Sequence, residues 1–222
     1  KIEKRVYNTA LWAEVKILKG LTFKTLFNYN TESKISEYFL PLNVQPFSAS
    51  SAIGTTATSS ISRTGIQNTL NYVTKFGKKH KLDILLGQSI DERNYFNSDA
   101  GALDFPLDYV STLNMGATPN KANSARQILR TSSLFGRLNY NYADKYLASA
   151  SIRRDGSSRF GPGNRWALFP SVSAGWKISG EDFMKNIKVI NLLKIRASWG
   201  MSGNDRVGVA DYISNYNVIN AV

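Results

Sequence analysis

The 222-residue chain has no cysteine, a single histidine and no long apolar run. Without cysteine it has no disulfide framework, and neither thiolate catalysis nor a thiolate metal site is available. No stretch approaches the about 18 apolar residues of a membrane-spanning helix, so the sequence excludes a helical membrane protein. A transmembrane barrel is not excluded, because its strands are short and apolar only at alternate positions.

Helical periodicity is also scarce, and alternation typical of strands takes its place. One short helix is expected near 180–188, where Ser179 and Asp182 have the spacing of a capping box. About eight strands are expected from period-two patterns, and they cover 5–18, 21–31, 58–76, 80–93, 128–142, 146–154, 165–178 and 192–201. The sequence therefore predicts an all-β fold of antiparallel up-and-down strands.

The connections between these strands are expected to alternate in length. The short ones are 19–20, 77–79 and 143–145, and the long ones are 32–57, 94–127 and 155–164. In an up-and-down sheet every second connection lies on the same side, so tight turns gather on one side and long loops on the other. Outer-membrane barrels show this asymmetry, with short periplasmic turns and long external loops.

The stretch NRWALFPSVSAGWKIS places apolar residues at every second position from Trp166 to Ile178. Trp166 and Trp176 are ten residues apart. That separation is about 33 Å along a strand and about 25 Å along the axis of a barrel with tilted strands. It matches the apolar band of a barrel, with one tryptophan ring in each interface and its N–H toward water. Pro170 predicts a bulge, because proline removes a ladder donor.

The two faces of the expected strands differ in chemistry. The aromatic residues expected at the membrane interfaces are Trp166, Trp176, Trp199, Tyr140, Tyr142 and Tyr146. The opposite face is polar, and its candidates for the barrel lumen are Arg137, Asn139, Asn141, Arg153, Lys177, Lys194 and Arg196. The first strand fits less well, because Trp12 falls among Glu14 and Lys16. The pattern alone leaves open a soluble sandwich with aromatic side chains in its core.

Neither nucleic-acid binding nor catalysis is expected from the polar residues. The net charge is +12, but aromatic and basic residues fall largely on opposite faces, whereas stacking platforms need them together. The only histidine, His80, lies at a tight turn, and GMSGND does not match a nucleophile elbow. No cofactor is expected, although the carboxylates of the outer loop are candidates for calcium without EF-hand spacing; they are Asp99, Asp104 and Asp108.

The segment DGSSRFGPGNR is rich in glycine and hydroxyl groups, but it lacks the spacing of a phosphate-binding loop. We expect a compact hairpin loop in which Arg153, Arg154 and Arg159 surround Asp155.

Four segments occur together in one order: RRDGSSRFG at 153–161, FPSVSAGW at 169–176, LKIRASWG at 193–200 and SGN at 202–204. This block, which covers about 140–205, resembles the barrel of SusC/RagA-type TonB-linked outer-membrane transporters. The residues that carry the loop motif of that family are Arg154, Asp155, Gly156, Ser157, Ser158, Arg159 and Phe160.

The resemblance implies a large barrel of the 22-stranded kind with an N-terminal plug. Such proteins import oligosaccharides or peptides with a SusD-like surface lipoprotein as a lid, and TonB supplies the energy. Residues 1–222 are then expected to be part of a barrel domain in the lipid of a bacterial outer membrane, because no plug, TonB box, signal peptide or full strand set is found. The alternative is a soluble or surface-displayed β-sandwich that binds glycans. Neither interpretation is an enzyme.

Overall fold

The computed structural model describes residues 1–45, 51–185, 187, 189–205 and 207–208. Eight strands form one sheet, and their order in the sheet follows their order in the chain. The strands are β1 Ile2–Leu18, β2 Leu21–Leu40, β3 Ile53–Phe76, β4 His80–Leu103, β5 Thr118–Tyr142, β6 Tyr146–Ser157, β7 Trp166–Lys177 and β8 Lys194–Gly200. The expected all-β, up-and-down fold is confirmed.

The three tight turns lie where the sequence predicts them, at 19–20, 77–79 and 143–145. Gly20 and Gly77 have φ values of 83° and 62°, which favour glycine. In the third turn Ala143 and Asp144 both have positive φ. The backbone N–H of Asp144 donates to the side-chain oxygen of Asn141 at 2.9 Å, which supports this left-handed turn.

The three connections predicted to be long are shorter than predicted. They cover 41–52, 104–117 and 158–165 rather than 32–57, 94–127 and 155–164. Strands β2 to β5 contain 20, 24, 24 and 25 residues, whereas about 9–11 residues suffice to cross a bilayer. Backbone pairing continues through polar sequence because it does not require an apolar face, so a search for apolar alternation ends these strands too early.

The short helix expected near 180–188 is replaced by two 3₁₀ turns, Ile178–Gly180 and Asp182–Met184. The capping box is absent because its groups have other partners. The backbone N–H of Ser179 donates to the carbonyl of Leu193 at 3.1 Å, and Asp182 pairs with Lys185 at 2.7 Å. Positions 186 and 188 of the predicted helix lie outside the described residues. The described residues include no helix suited in length and apolarity to crossing a membrane.

The bulge expected at Pro170 is absent. The register between β6 and β7 runs without interruption from Tyr146 opposite Trp176 to Gly156 opposite Trp166. The carbonyl of Pro170 accepts the backbone N–H of Met201, so the proline nitrogen faces the β8 side. No ladder bond to β6 is lost there, and the ladder to β8 begins only at Ser171.

The chain divides into two compact units, and the first comprises Lys1–Ala10, Asn28–Thr64 and Glu92–Ile128. Its small apolar core is built from Ala52, Ala102 and Phe105, with Phe39 and Leu113 packed against it. The rings of Phe39 and Phe105 meet edge to face at 5.0 Å. This core ties the 41–52 connection to the 104–117 connection.

The second unit comprises Leu11–Phe27, Gly65–Asp91 and Leu129–Val222. The apolar face of its strands is exposed: the exposed fraction is 51% for Val172 and 58% for Ile195. The described residues form no second sheet. A soluble sandwich would need such a layer to cover this face, and we expect lipid to cover it instead.

A pair of arginine substitutions in β7 tests which face contacts lipid. Val172 lies opposite Ala150 and Trp199 on the apolar face, so we expect Val172→Arg to cost about 2–4 kcal/mol near the middle of a bilayer. Ser173 is the matched control, because it lies opposite Ser149 on the polar face, and we expect Ser173→Arg to cost far less. The measurement is denaturant unfolding of the full-length protein in lipid vesicles, and equal costs at the two positions would contradict the assignment.

Candidate functional site

The polar face of β5 to β8 collects the seven predicted lumen residues. Arg137 lies opposite Ser151, and Lys177 lies opposite Lys194. Because side chains alternate between the faces of a strand, the register places all seven on one face: Arg137, Asn139, Asn141, Arg153, Lys177, Lys194 and Arg196. Their shared face is a feature of the structure, and their exposure to a lumen stays a prediction.

A depression of about 330 Å³ lies on this face beside the tight turns. We call it the basic depression, and its charged and polar lining is Lys81, Asp83, Asn139, Asn141, Ser149, Ser173, Lys194 and Arg196. Ser149 donates to the side-chain oxygen of Asn139 at 2.8 Å. Three cations face one carboxylate, so the basic depression suits anionic or hydroxyl-bearing groups.

A larger depression of about 600 Å³ lies beside the motif loop, and we call it the Arg153 pocket. The Nε of Arg153 donates to both carboxylate oxygens of Asp155 at 2.7 and 2.8 Å, and its Nη2 donates to Ser133 at 2.9 Å. The guanidinium also lies 5.6 Å from the ring centroid of Phe135. Arg153 and Asp155 are thus held in fixed positions, which is what a binding site requires of its polar groups.

The remaining lining of the Arg153 pocket combines aromatic rings with amides and carboxylates. These residues include Asp91, Thr131, Phe160, Asn164, Phe169, Asn204 and Asp205. Ring faces can pack against the C–H surface of a ligand while the polar groups form hydrogen bonds to it. Such a lining suits a polyhydroxylated or peptide-like ligand. The sequence interpretation missed Phe135 and Phe169, since an aromatic residue on a polar face breaks the alternation rule.

The motif loop is the compact hairpin that the sequence predicts. The backbone N–H of Ser158 donates to the carbonyl of Arg130 at 2.9 Å, and the Arg130 N–H donates to Ser158 Oγ at 2.9 Å. Ser157 donates its backbone N–H to the carbonyl of Arg165 at 3.0 Å. The side chain of Arg159 donates to the carbonyl of Val207, which ties the segment after β8 to this loop.

The expectation that three arginines surround Asp155 is wrong for two of them. Only Arg153 pairs with Asp155. Arg154 is the next residue of β6 and therefore lies on the other face, where its guanidinium is 4.8 Å from the ring centroid of Trp166. Gly156 permits this packing, because a Cβ at that position would meet the Trp166 ring at 2.9 Å.

The six aromatic residues predicted for membrane interfaces share the apolar face. Tyr146 lies opposite both Tyr142 and Trp176. The register places Trp199 opposite Val172, between the levels of Trp166 and Trp176 rather than at either of them. Trp12 breaks the expected alternation of β1 because its ring lies against a cation on the polar face. Lys24 Nζ is 5.3 Å from the centroid of the Trp12 ring.

Aromatic residues also gather at the tight-turn end of the apolar face. The ring of His80 stacks on Phe76 at 4.9 Å and lies 4.9 Å from Tyr142. Its Nδ1 is 2.7 Å from the hydroxyl of Tyr140. Tyr146 lies beside Tyr142. We call Phe76, His80, Tyr140, Tyr142 and Tyr146 the aromatic cluster. The only histidine of the sequence therefore packs among aromatic rings and contributes to the structure of this end of the sheet.

Glu181 was not anticipated from the sequence, and it joins this end of the sheet to the 178–193 connection. Its carboxylate accepts the indole N–H of Trp176 at 3.0 Å and the Lys145 ammonium at 2.9 Å. Hydrogen bonds from Trp176, Lys145 and Tyr146 lower the pKa of Glu181 to about 2. The indole N–H of Trp176, which was expected to point toward water, therefore has a carboxylate partner in the connection after β7.

The three loop carboxylates considered for calcium each have a separate partner. Asp99 pairs with Lys121 at 2.6 Å, and Asp108 accepts the backbone N–H of Leu42 at 3.2 Å. Asp104 accepts a hydrogen bond from Thr118, which lowers the pKa of this aspartate. In the described part of the chain no three metal-ligating side chains are grouped together. Calcium binding stays a prediction.

The sequence of this chain matches a known family of proteins. The family described as "TonB dependent receptor-like, beta-barrel" matches residues 7–220, and the chain belongs to this family. It is 38% identical over 208 residues to the TonB-dependent receptor P39 of Formosa agariphila, covering 93% of this chain and 20% of that protein. It is 49% identical over 76 residues to the TonB-dependent receptor SusC of Bacteroides thetaiotaomicron, covering 34% of this chain and 8% of SusC.

Among solved structures, the chain resembles the RagAB peptide importer in its open-open state. The TM-score is 0.89 at 24% identity, with 100% of this chain and 24% of that chain covered. This similarity shows the fold. The SusC/RagA-type resemblance is confirmed. The chain spans about a fifth of the length of P39.

The contacts of Glu181 predict that the thermal stability of the folded protein depends on pH in the acidic range. The pKa of Glu181 is about 2 in the folded protein and 4.5 ordinarily, so the stabilisation is complete above about pH 4.5 and is lost as the pH falls toward 2. We expect wild type to be more heat-resistant than Glu181→Gln at pH 7, and the difference to shrink between pH 4.5 and 2. The measurement is thermal unfolding of the full-length protein in detergent micelles.

Asp182→Asn is the matched control, because Asp182 is exposed and pairs with the exposed Lys185, three residues later in the same connection. We expect this variant to melt close to wild type at pH 7. A Glu181→Gln variant whose melting deficit is the same at every pH would show that the carboxylate charge is irrelevant.

Proposed function

We propose that the full-length protein imports a nutrient across the bacterial outer membrane and that this chain forms part of the barrel wall. The observation that carries the proposal is the single sheet with one exposed apolar face and one polar face. Membership of the TonB-dependent receptor family supports it. The apolar face contacts lipid hydrocarbon, and the polar face lines the interior.

The protein acts on its ligand by binding and passage, without chemical conversion. The Arg153 pocket and the basic depression offer fixed polar groups along the polar face. TonB supplies the energy through a segment outside this chain, and a plug changes conformation to open the path. The similarity to SusC, a TonB-dependent receptor, supports the dependence on TonB. Oligosaccharides and peptides are both candidate substrates, and the neighbour described as a peptide importer supports the second class.

A SusD-like lipoprotein is the proposed partner of the loop connections. The 41–52 and 104–117 connections share an apolar core and so form a pre-organised surface. Apolar side chains remain exposed on them, including Val44, Leu107 and Tyr109, whose exposed fraction is 82%. Exposed apolar side chains on ordered loops suit a protein partner.

Growth and uptake in the native host test this function. We expect deletion of the gene to abolish growth on either an oligosaccharide or a peptide class while growth on monosaccharides and amino acids is unchanged. In the complemented strain, reversing the charge at Lys194 and Arg196 to glutamate should slow uptake of the labelled nutrient about tenfold, which corresponds to about 1.4 kcal/mol.

The control is Ile195→Val, which lies between these residues but on the apolar face. It should leave uptake unchanged at equal protein abundance. Normal growth of the deletion strain on every oligosaccharide and peptide tested would contradict import as the function.

A further inference from the structure

The tight turns of the second unit carry exposed lysines. Lys78 and Lys79 occupy the turn between β3 and β4, with Lys75 and Lys81 close by in sequence. No acidic residue occurs in that stretch before Asp83. Lys19 occupies the turn between β1 and β2 and is likewise exposed. Positive charge therefore accumulates at this end of the sheet.

Backbone contacts join these turns into one surface, which we call the turn rim and define as residues 19–20, 77–79 and 143–145. The N–H of Val73, near the end of β3, donates to the carbonyl of Gly20 at 2.8 Å, which joins the 19–20 turn to the strand that leads into the 77–79 turn. The Ala143 N–H donates to the carbonyl of Lys79 at 2.6 Å. The rim contains one carboxylate, that of Asp144, which accepts a hydrogen bond from Asn141 at 2.7 Å.

The lysines of the rim differ in their partners. Lys145 pairs with Glu181 at 2.9 Å, and Lys185 in the next connection pairs with Asp182 at 2.7 Å. In the described ranges Lys19, Lys78 and Lys79 form no ion pair. Three cations are thus left for an external anion.

The aromatic cluster lies beside Lys78 and Lys79, on the apolar face. Phe76 precedes the 77–79 turn, and His80 follows it. Aromatic rings at a membrane interface lie at the level of the lipid headgroups. Lysines one or two residues beyond them reach the headgroup phosphates, with their methylene stems along the apolar surface.

We propose that the turn rim binds the headgroups of anionic phospholipids through Lys19, Lys78 and Lys79. The inference rests on the proposed membrane location of the barrel. The bound chemistry is the phosphodiester of a phospholipid with net negative charge, and the attraction weakens at high salt.

The experiment reconstitutes the full-length protein in phosphatidylethanolamine vesicles that contain a minority of phosphatidylglycerol. Electron paramagnetic resonance of spin-labelled lipids gives the association of each lipid with the protein relative to the other. We expect wild type to prefer phosphatidylglycerol about threefold. The Lys78→Gln/Lys79→Gln variant should lose most of this preference, and Lys78→Arg/Lys79→Arg should keep it. High salt should reduce the wild-type value.

The matched control is Lys177→Gln/Lys194→Gln, which removes the same charge from a facing pair on the polar face. It should retain the preference for phosphatidylglycerol. A wild-type protein without that preference, or a preference lost equally in the control, would overturn the inference.

Other outcomes separate this inference from the proposed function. Insertion into phosphatidylethanolamine vesicles without a preference for phosphatidylglycerol overturns the headgroup site alone. Failure of the folded protein to insert overturns both the site and the membrane function. A normal lipid preference in a protein that takes up no nutrient supports the site and overturns import.

Discussion

The pairing register of β5 to β8 is the constraint on which the two unlike faces depend. Side chains alternate between the two faces of each strand. Because the register between β6 and β7 is unbroken, the apolar sides of the two strands lie on one face of the sheet and their polar sides lie on the other. A slip of β7 by one residue would move Val172 to the face of Arg153 and carry the polar side chains of β7 to the apolar side. Within the residues that the structure describes, no second layer covers this sheet, so the surroundings of each face must supply the contacts that a protein core supplies elsewhere.

At the tight-turn end of the sheet, a carboxylate, a group of aromatic rings and several lysines have separate roles. Glu181 binds Trp176 and Lys145, which fixes the connection after β7 to the sheet. Beside it, the aromatic cluster packs around His80. Lys19, Lys78 and Lys79 of the turn rim remain outside this arrangement. The same end thus combines a neutralised ion pair with unpaired positive charge, which suits a boundary between hydrocarbon and water.

Most of what could be predicted about the fold from the sequence came from the alternation of apolar and polar side chains. It gave the strand between Trp166 and Trp176, the tight turns and the shared face of the seven polar candidates, because period two is a local property of the backbone. It could not give the length of β2 to β5, whose ends pair through polar residues. Nor could it give Glu181, whose partner Lys145 is 36 residues away, or the 3₁₀ turns, where the Ser179 N–H bonds to the carbonyl of the distant Leu193.

The surroundings of the two faces can be measured with spin labels in the membrane-inserted, full-length protein. Val172→Cys and Ser173→Cys place labels on adjacent residues of β7 that belong to opposite faces. We expect the label at 172 to be relaxed by oxygen, which concentrates in hydrocarbon, and shielded from a water-soluble nickel chelate. The label at 173 should show the reverse. Labels at 172 shielded from both reagents, as beneath a layer of protein, would contradict a lipid-facing sheet.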